Sequence, residues 1–454
     1  MADRRIPPFP SINQAELADA TADLREANLD FARRHPGDPP GRQPVHTVYG
    51  GAQLFGADAA AKIGGVARRA MDEYVATPEA LGEMLGVTGH RSLPAVHARV
   101  REKLAREAVE DFRIDFEDGY GIRPDTEEDG HAQAAGEECA KGLAEGTLSP
   151  FIGIRIKTFS AELGGRALRT LDLFLSAATK RTAKLPPAFV VTLPKVVSPA
   201  QVSVLVDAFD ALEEKLRIPR GALRMESMIE TTQSILDETG ASTLPKLVAA
   251  AKGRCFAAHF GTYDYTASCN IISTYQSMRH PACDFAKHMM KVAYAGTGIF
   301  LSDGATTTMP IAPHKAPKGG QLSPEQARDN QRAVHAAWKL HADDVRNSLV
   351  NGFYQGWDLH PAQLPTRYGA LYTFFLEGLA GATERLRNFV GKLGQATLSG
   401  DTFDDAATGQ GLLNFFLRGT TCGALTEEEA LATGITLDEL RGRSFATIAR
   451  NRRK

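Results

Sequence analysis

The chain has 454 residues, of which 43% are apolar and 23% charged, the composition of a soluble globular protein long enough for one large domain with extensions. A net charge of −2 gives no global field for nucleic acid or an anionic membrane, and no apolar run approaches the ~18–20 residues that a membrane span needs. Five scattered cysteines without a CxxC pair, and an amino-terminal segment without an apolar signal core, point to the cytoplasm and away from a disulfide framework or zinc site.

Residues 1–40 read as a polar leader, helix-permissive from Asn13 to Arg34 and stopped by Pro36, Pro39 and Pro40. From there apolar runs alternate with amphipathic stretches. PVHTVYGG (44–51) reads as a strand closed by two glycines, and residues 59–75 as a helix. FRIDFEDGYG (112–121) is a strand running into a polar turn, followed by strands at 151–159, 188–196, 223–229 and 255–261. Helices are expected at 199–217 and 231–238, and the last two strand-like runs are 298–311 and 352–364. Eight strands in strict alternation with helices predict a parallel sheet closed into a TIM barrel over residues 41–383. The competing open, doubly wound sheet would need a glycine-rich phosphate turn after its first strand to bind a dinucleotide, and that turn is missing. Past Glu384 the alternation fades, and residues 384–454 read as a helical extension.

A TIM barrel does its chemistry at the carboxyl ends of its strands, and charge recurs at those positions. Asp115, Glu117 and Asp118 close the second strand, Arg155 lies between Ile154 and Ile156 on the third, and Lys195 follows the fourth. Glu230 ends the fifth, Asp264 follows the sixth, Asp303 lies near the seventh and His360 ends the eighth. Charges within apolar strands are costly unless paired or bound to metal, and one site at the mouth would satisfy most of them. Each also has a plainer reading: Arg155 and Lys195 as ion-pair members, His259 as a hydrogen-bonded core histidine, His314 as a solvated loop residue, and Asp303 as a turn former. Magnesium takes one or two carboxylates and leaves its other positions to water and substrate, a pattern that Glu230 and Asp264 fit.

The words around these residues resemble a known superfamily. MIETTQSILDE (228–238) followed by FGTYDYTASCNI (260–271) is similar to the paired metal-binding segments of malate synthase and the citrate lyase β subunit. DFEDGYG (115–121), IRIK (154–157), LPKV (193–196), the stretch 278–311 and GWDLHPAQLP (356–365) resemble further segments of that superfamily, in the same order. The resemblance implies Mg2+ held by Glu230 and Asp264, with Arg155 facing the substrate's developing negative charge. Glu117 or Asp118 would act as a base or position water, and Asp115, Lys195 and His360 would contribute to substrate binding.

The function so implied is that of a magnesium-dependent carbon–carbon lyase or aldolase acting on an oxo acid, or its hydroxy-acid adduct, through a metal-stabilised enolate. The alternatives are an acyl-CoA-dependent condensing enzyme or thioesterase on the same scaffold, and a non-catalytic binding barrel. The expected partner is a small oxo-acid or acyl-CoA substrate, not nucleic acid or membrane, and the resemblance leaves room for a homo-oligomer. It also implies a tail packed near a barrel mouth, the chain's own or a neighbour's, with Asp404 and Asp405 as candidates to complete the site.

Overall fold

The computed structural model of the chain describes residues 14–452 apart from 38, 40, 181, 183, 392–396, 400, 401 and 405. Helix α1 (Gln14–Arg34) precedes strand β1 (His46–Gly51), and α2 (Ala59–Tyr74), α3 (Pro78–Leu85) and α4 (Leu93–Arg106) lead to β2 (Asp111–Asp115). Single helices then alternate with strands: α5 (Asp125–Glu145), β3 (Phe151–Arg155), α6 (Gly164–Thr179), β4 (Phe189–Leu193), α7 (Pro199–Leu216) and β5 (Arg224–Ile229). The short α8 (Thr232–Ile235) and α9 (Leu244–Ala250) lead to β6 (Cys255–Phe260), and α10 (Thr262–Ser268) and α11 (Pro281–Tyr294) lead to β7 (Phe300–Ala305). After α12 (Pro324–Val350) comes β8 (Gln355–Asp358).

The eight strands pair in parallel and in chain order, and β8 closes on β1. This is the (β/α)8 barrel that the alternation predicts. Local chemistry marks the helix ends. Thr77 accepts the Ala80 N–H at the start of α3, Pro78 follows at the first helical position, and Gly86 ends the helix at φ 75°. Ser323 and Gln326 form a reciprocal capping box on α12. The strands are shorter than the apolar runs suggest, and the expected helix at 231–238 contracts to four residues. The charged ends of the runs therefore belong to loops above the barrel.

Two shells hold the barrel. Outward-facing residues such as Ile114, Ile154, Val191, Ile229 and Phe260 are buried against helices that contribute Phe174, Trp338 and Tyr368. The interior shell is polar. Arg113 on β2 reaches across to β5, where Nε and Nη2 lie 2.8 and 2.6 Å from the Glu226 carboxylate. Arg113 also donates to Asp111 and Thr192, and Thr47 donates to Asp111 at 2.8 Å. One guanidinium thus serves both buried carboxylates, and hydrogen bonds from Thr47 and Thr192 support them.

Beyond the barrel lie α13 (Leu364–Gly391), the antiparallel pair β9 (Thr397–Ser399) and β10 (Thr402–Asp404), and α14 (Ala406–Thr421). They are followed by α15 (Glu427–Leu431), α16 (Leu437–Arg441) and α17 (Phe445–Arg452). Helix α13 runs through position 384 without a break. Helix α14 packs at the amino-terminal ends of the strands: Arg418 donates to Gln43, before β1, at 2.9 Å and lies over the ring of Tyr354, before β8. The expectation that the tail covers the chain's own mouth is therefore corrected for α14. Aromatic packing supports its position, with Phe375 of α13 against Phe415 of α14 at 5.2 Å, while Phe389 of α13 holds Phe445 of α17 at 4.7 Å. Asp405 and the side chain of Asp404 lie outside the described residues.

Candidate functional site

Strand β2 ends on Asp115 and β3 on Arg155, paired in register. Arg155 grips Asp115 with two parallel bonds, Nε to Oδ1 at 2.7 Å and Nη2 to Oδ2 at 2.5 Å. The same carboxylate accepts the N–H groups of Glu117 at 3.0 Å and Gly119 at 2.7 Å, which folds the DGYG segment into a turn. Glu117 and Asp118 thus sit in the loop, and both face the remaining guanidinium nitrogen, Nη1, at 3.2 and 3.6 Å. Tyr49 lies beneath, its ring 4.8 Å from the guanidinium carbon.

Lys195 brings in the other half of the site. Its ammonium contacts Glu117, lies 3.3 Å from Asp118 and 3.3 Å from Asp264, and so joins the β2, β4 and β6 loops. Its backbone N–H donates to Glu230 at 2.7 Å. Glu230 is buried at the end of β5, against Gly261. A methyl group on Gly261 would stand 2.3 Å from Glu230 Oε2, so glycine is required where the two strand ends converge.

Burial raises the Glu230 carboxyl to about 8; the Lys195 ammonium opposes the rise and Asp264 adds to it. Burial also raises Glu117, against the pull of Arg155. Asp118 lies below the ordinary value despite the opposing effect of burial, because Glu117 hydrogen-bonds to it and Arg155 and Lys195 are close. The two neighbouring acids are thus shifted in opposite directions, Glu117 upward and Asp118 downward.

Seven of the eight sequence candidates form one contiguous group: Asp115, Glu117, Asp118, Arg155, Lys195, Glu230 and Asp264. His360 stands apart. It follows β8 at the same end of the barrel, but its Nδ1 accepts the Ala362 N–H at 3.1 Å and caps the turn Pro361–Gln363. Among the described residues it makes no hydrogen bond or ion pair with the carboxylates. Asp303 is a buried partner of Lys287 at 3.3 Å and Ser348 at 2.7 Å, not a turn former. His259 is the buried core histidine expected, 3.2 Å from Glu226.

Five carboxyl groups here face two cationic side chains. Among the described residues no group of three or more His, Cys, Asp or Glu side chains is arranged to hold a metal. A magnesium ion would therefore depend on the pair Glu230 and Asp264, with water and substrate supplying the rest. The donor set fits. Burial raises the Glu230 carboxyl, so a cation would favour its ionisation, and Lys195 already links the two acids, its backbone N–H to Glu230 and its ammonium to Asp264.

Sequence reasoning missed the support beneath the site. Tyr49 underlies Arg155, and its hydroxyl stands 3.5 Å from His259 Nδ1, which links the mouth to Glu226 and Arg113. The available signal was Arg113 between Phe112 and Ile114, the same pattern that singled out Arg155.

Comparison with solved structures places this barrel beside known ones. A citrate lyase from Burkholderia xenovorans LB400 is 19% identical and superposes with a TM-score of 0.57, over 87% of this chain and 98% of that one. The CitE protein of Mycobacterium tuberculosis, in complex with magnesium, acetoacetate and coenzyme A, is 16% identical with a TM-score of 0.48, over 85% of this chain and all of that one. A malate synthase of Haloferax volcanii is 14% identical with a TM-score of 0.45, over 90% and 98%. The fold is that of the citrate lyase, the closed barrel expected from the alternation of strands and helices. No curated protein matches the sequence. Residues 24–448, nearly the whole chain, match the domain of unknown function DUF6986, and the chain belongs to that family.

Proposed function

We propose that the protein is a magnesium-dependent carbon–carbon lyase of the aldolase type, acting on an oxo acid or its hydroxy-acid adduct. The observation that carries this reading is the convergence of Glu230 and Asp264, from successive strand ends, opposite an arginine fixed by Asp115. A bound magnesium ion supplies Lewis-acid stabilisation of negative charge on the substrate's oxygens.

The chain's own residues do the rest. Asp115 fixes the plane of the Arg155 guanidinium, leaving Nη1 on the side of the loop carboxylates, where a substrate oxygen gaining charge would be met by a permanent cation. Asp118, open to solvent, is placed to take a proton, and Glu117, its carboxyl raised by burial, lies beside it to return one. Lys195 holds these two acids near the Asp264 side of the site.

The test is a turnover screen of oxo acids and their hydroxy-acid adducts at fixed magnesium, with and without acyl-CoAs. Cleavage or condensation that needs magnesium and no thioester supports the reading. Turnover only with an acyl-CoA would move the protein to the condensing-enzyme alternative, and no turnover would leave a binding barrel.

A further inference from the structure

A cavity of about 670 Å³, within the size range of small-ligand sites, is lined in part by residues that closely follow the charged group along the chain. Its walls grow from the same three loops. Val197 comes two residues after Lys195, Thr232 two after Glu230, and Tyr265 directly after Asp264. Leu236 and Phe285 add apolar surface to a mixed lining that also includes Gln233, Asp237 and Glu238, and Val197, Leu236 and Phe285 each remain more than a third exposed. The cation on its rim, Lys246, is held by Asp237. Four further cavities lie at the amino-terminal end of the barrel, between α2 and α4, or between the barrel and its outer helices.

We infer that this cavity is the subsite for an apolar tail on the substrate, so that the preferred oxo acid carries an aliphatic or aryl chain. The inference rests on the proposed function for the position of the substrate's head. A carboxylate and oxo group at Arg155, Glu230 and Asp264 directs any substituent towards walls built from the adjoining residues. Those walls offer apolar surface, and their carboxylates Asp237 and Glu238 outnumber the one cation, Lys246, which suits a hydrocarbon chain better than a phosphate or a second carboxylate. Leaving Leu236 and Phe285 in water has no benefit for folding, whereas a bound chain would cover both.

The experiment is calorimetric titration with 2-oxo acids from pyruvate to 2-oxooctanoate at fixed magnesium, on the full chain and on Leu236→Trp. The substitution is at an exposed position, so it fills the cavity without entering the core. Each added methylene that enters the cavity should lower Kd about fourfold in the native protein. In Leu236→Trp that gain should flatten towards none. Pyruvate binding with no gain from longer chains, or an equal gain in Leu236→Trp, would overturn the subsite and leave the proposed function standing. No binding by any member of the series would overturn both.

Discussion

The backbone N–H of Lys195 points at the buried carboxylate of Glu230, 2.7 Å away, from a residue whose φ is +50°. A non-glycine residue in the left-handed region is strained, and here the strain turns one residue's backbone towards Glu230 while its side chain reaches Glu117, Asp118 and Asp264. One lysine thus spans the proposed cation site. Lys195→Met removes a competing charge and should tighten magnesium binding several-fold in calorimetry. Weaker binding would show that the ammonium organises the carboxylates instead of competing for them.

Glu230→Gln and Asp264→Asn should each weaken magnesium affinity by at least about tenfold, the lower end of what losing even a supporting partner of a metal ligand costs. Both changes keep side-chain volume, so thermal melts without magnesium should move little. Unchanged affinity in both variants would remove the pair from metal binding.

The raised Glu230 carboxyl makes magnesium binding depend on pH. Its folded value of about 8 lies above the ordinary 4.5, so between those values the metal-free protein keeps a proton there that the unfolded chain has lost. The stability contributed by that proton is complete below 4.5 and is lost as pH rises through about 8. Magnesium must displace the proton, so affinity should rise with pH up to about 8, with proton release visible as a dependence of the binding heat on buffer ionisation. Heats independent of the buffer at pH 6.5 would contradict this.

Arg155→Lys should lower kcat by about 10²–10³, or roughly 3–4 kcal/mol, because lysine keeps the charge but loses the fork that Asp115 aligns. Steady-state kinetics beside a denaturant titration separates this from a structural role. If Arg155 only balances Asp115, the residual activity will follow the folded fraction.

A chain ending at Gly391 lacks α14, whose Leu413 and Phe416 are almost fully buried. Fully burying such side chains is worth about 1.5–3 kcal/mol each, so the truncated protein should melt well below the full chain. The fraction still folded should bind magnesium normally, since α14 packs at the opposite end from Glu230. Lost magnesium binding in a fully folded truncated protein would place the tail in the site after all.

The barrel was legible because β-branched and aromatic runs such as FVVTL recur between amphipathic stretches, a pattern that local chemistry imposes. The site was legible to the extent that its residues end strands: Asp115, Arg155 and Glu230 follow apolar alternation to its last position. Tyr49 and Glu226 were overlooked because their partners lie across the barrel, at sequence separations that no local period encodes. His360 carried the right position but is occupied as a cap, a role decided by the conformation of the next turn. The placement of α14 depended on which aromatic faces α13 leaves open, again a long-range matter.

The bond from Arg113 to Glu226 has a consequence for how the chain can be divided. It ties β2, in the first half of the barrel, to β5, in the second, across an interior with almost no water-accessible surface. A fragment ending after α7 would keep Arg113 and Asp111 but lose Glu226, and the complementary fragment would carry Glu226 without its arginine. The first piece would retain the Arg113–Asp111 pair, whereas the second would inherit Glu226 as an unmatched charge. The second half is therefore not built to be autonomous, and it should acquire ordered structure only when mixed with the first.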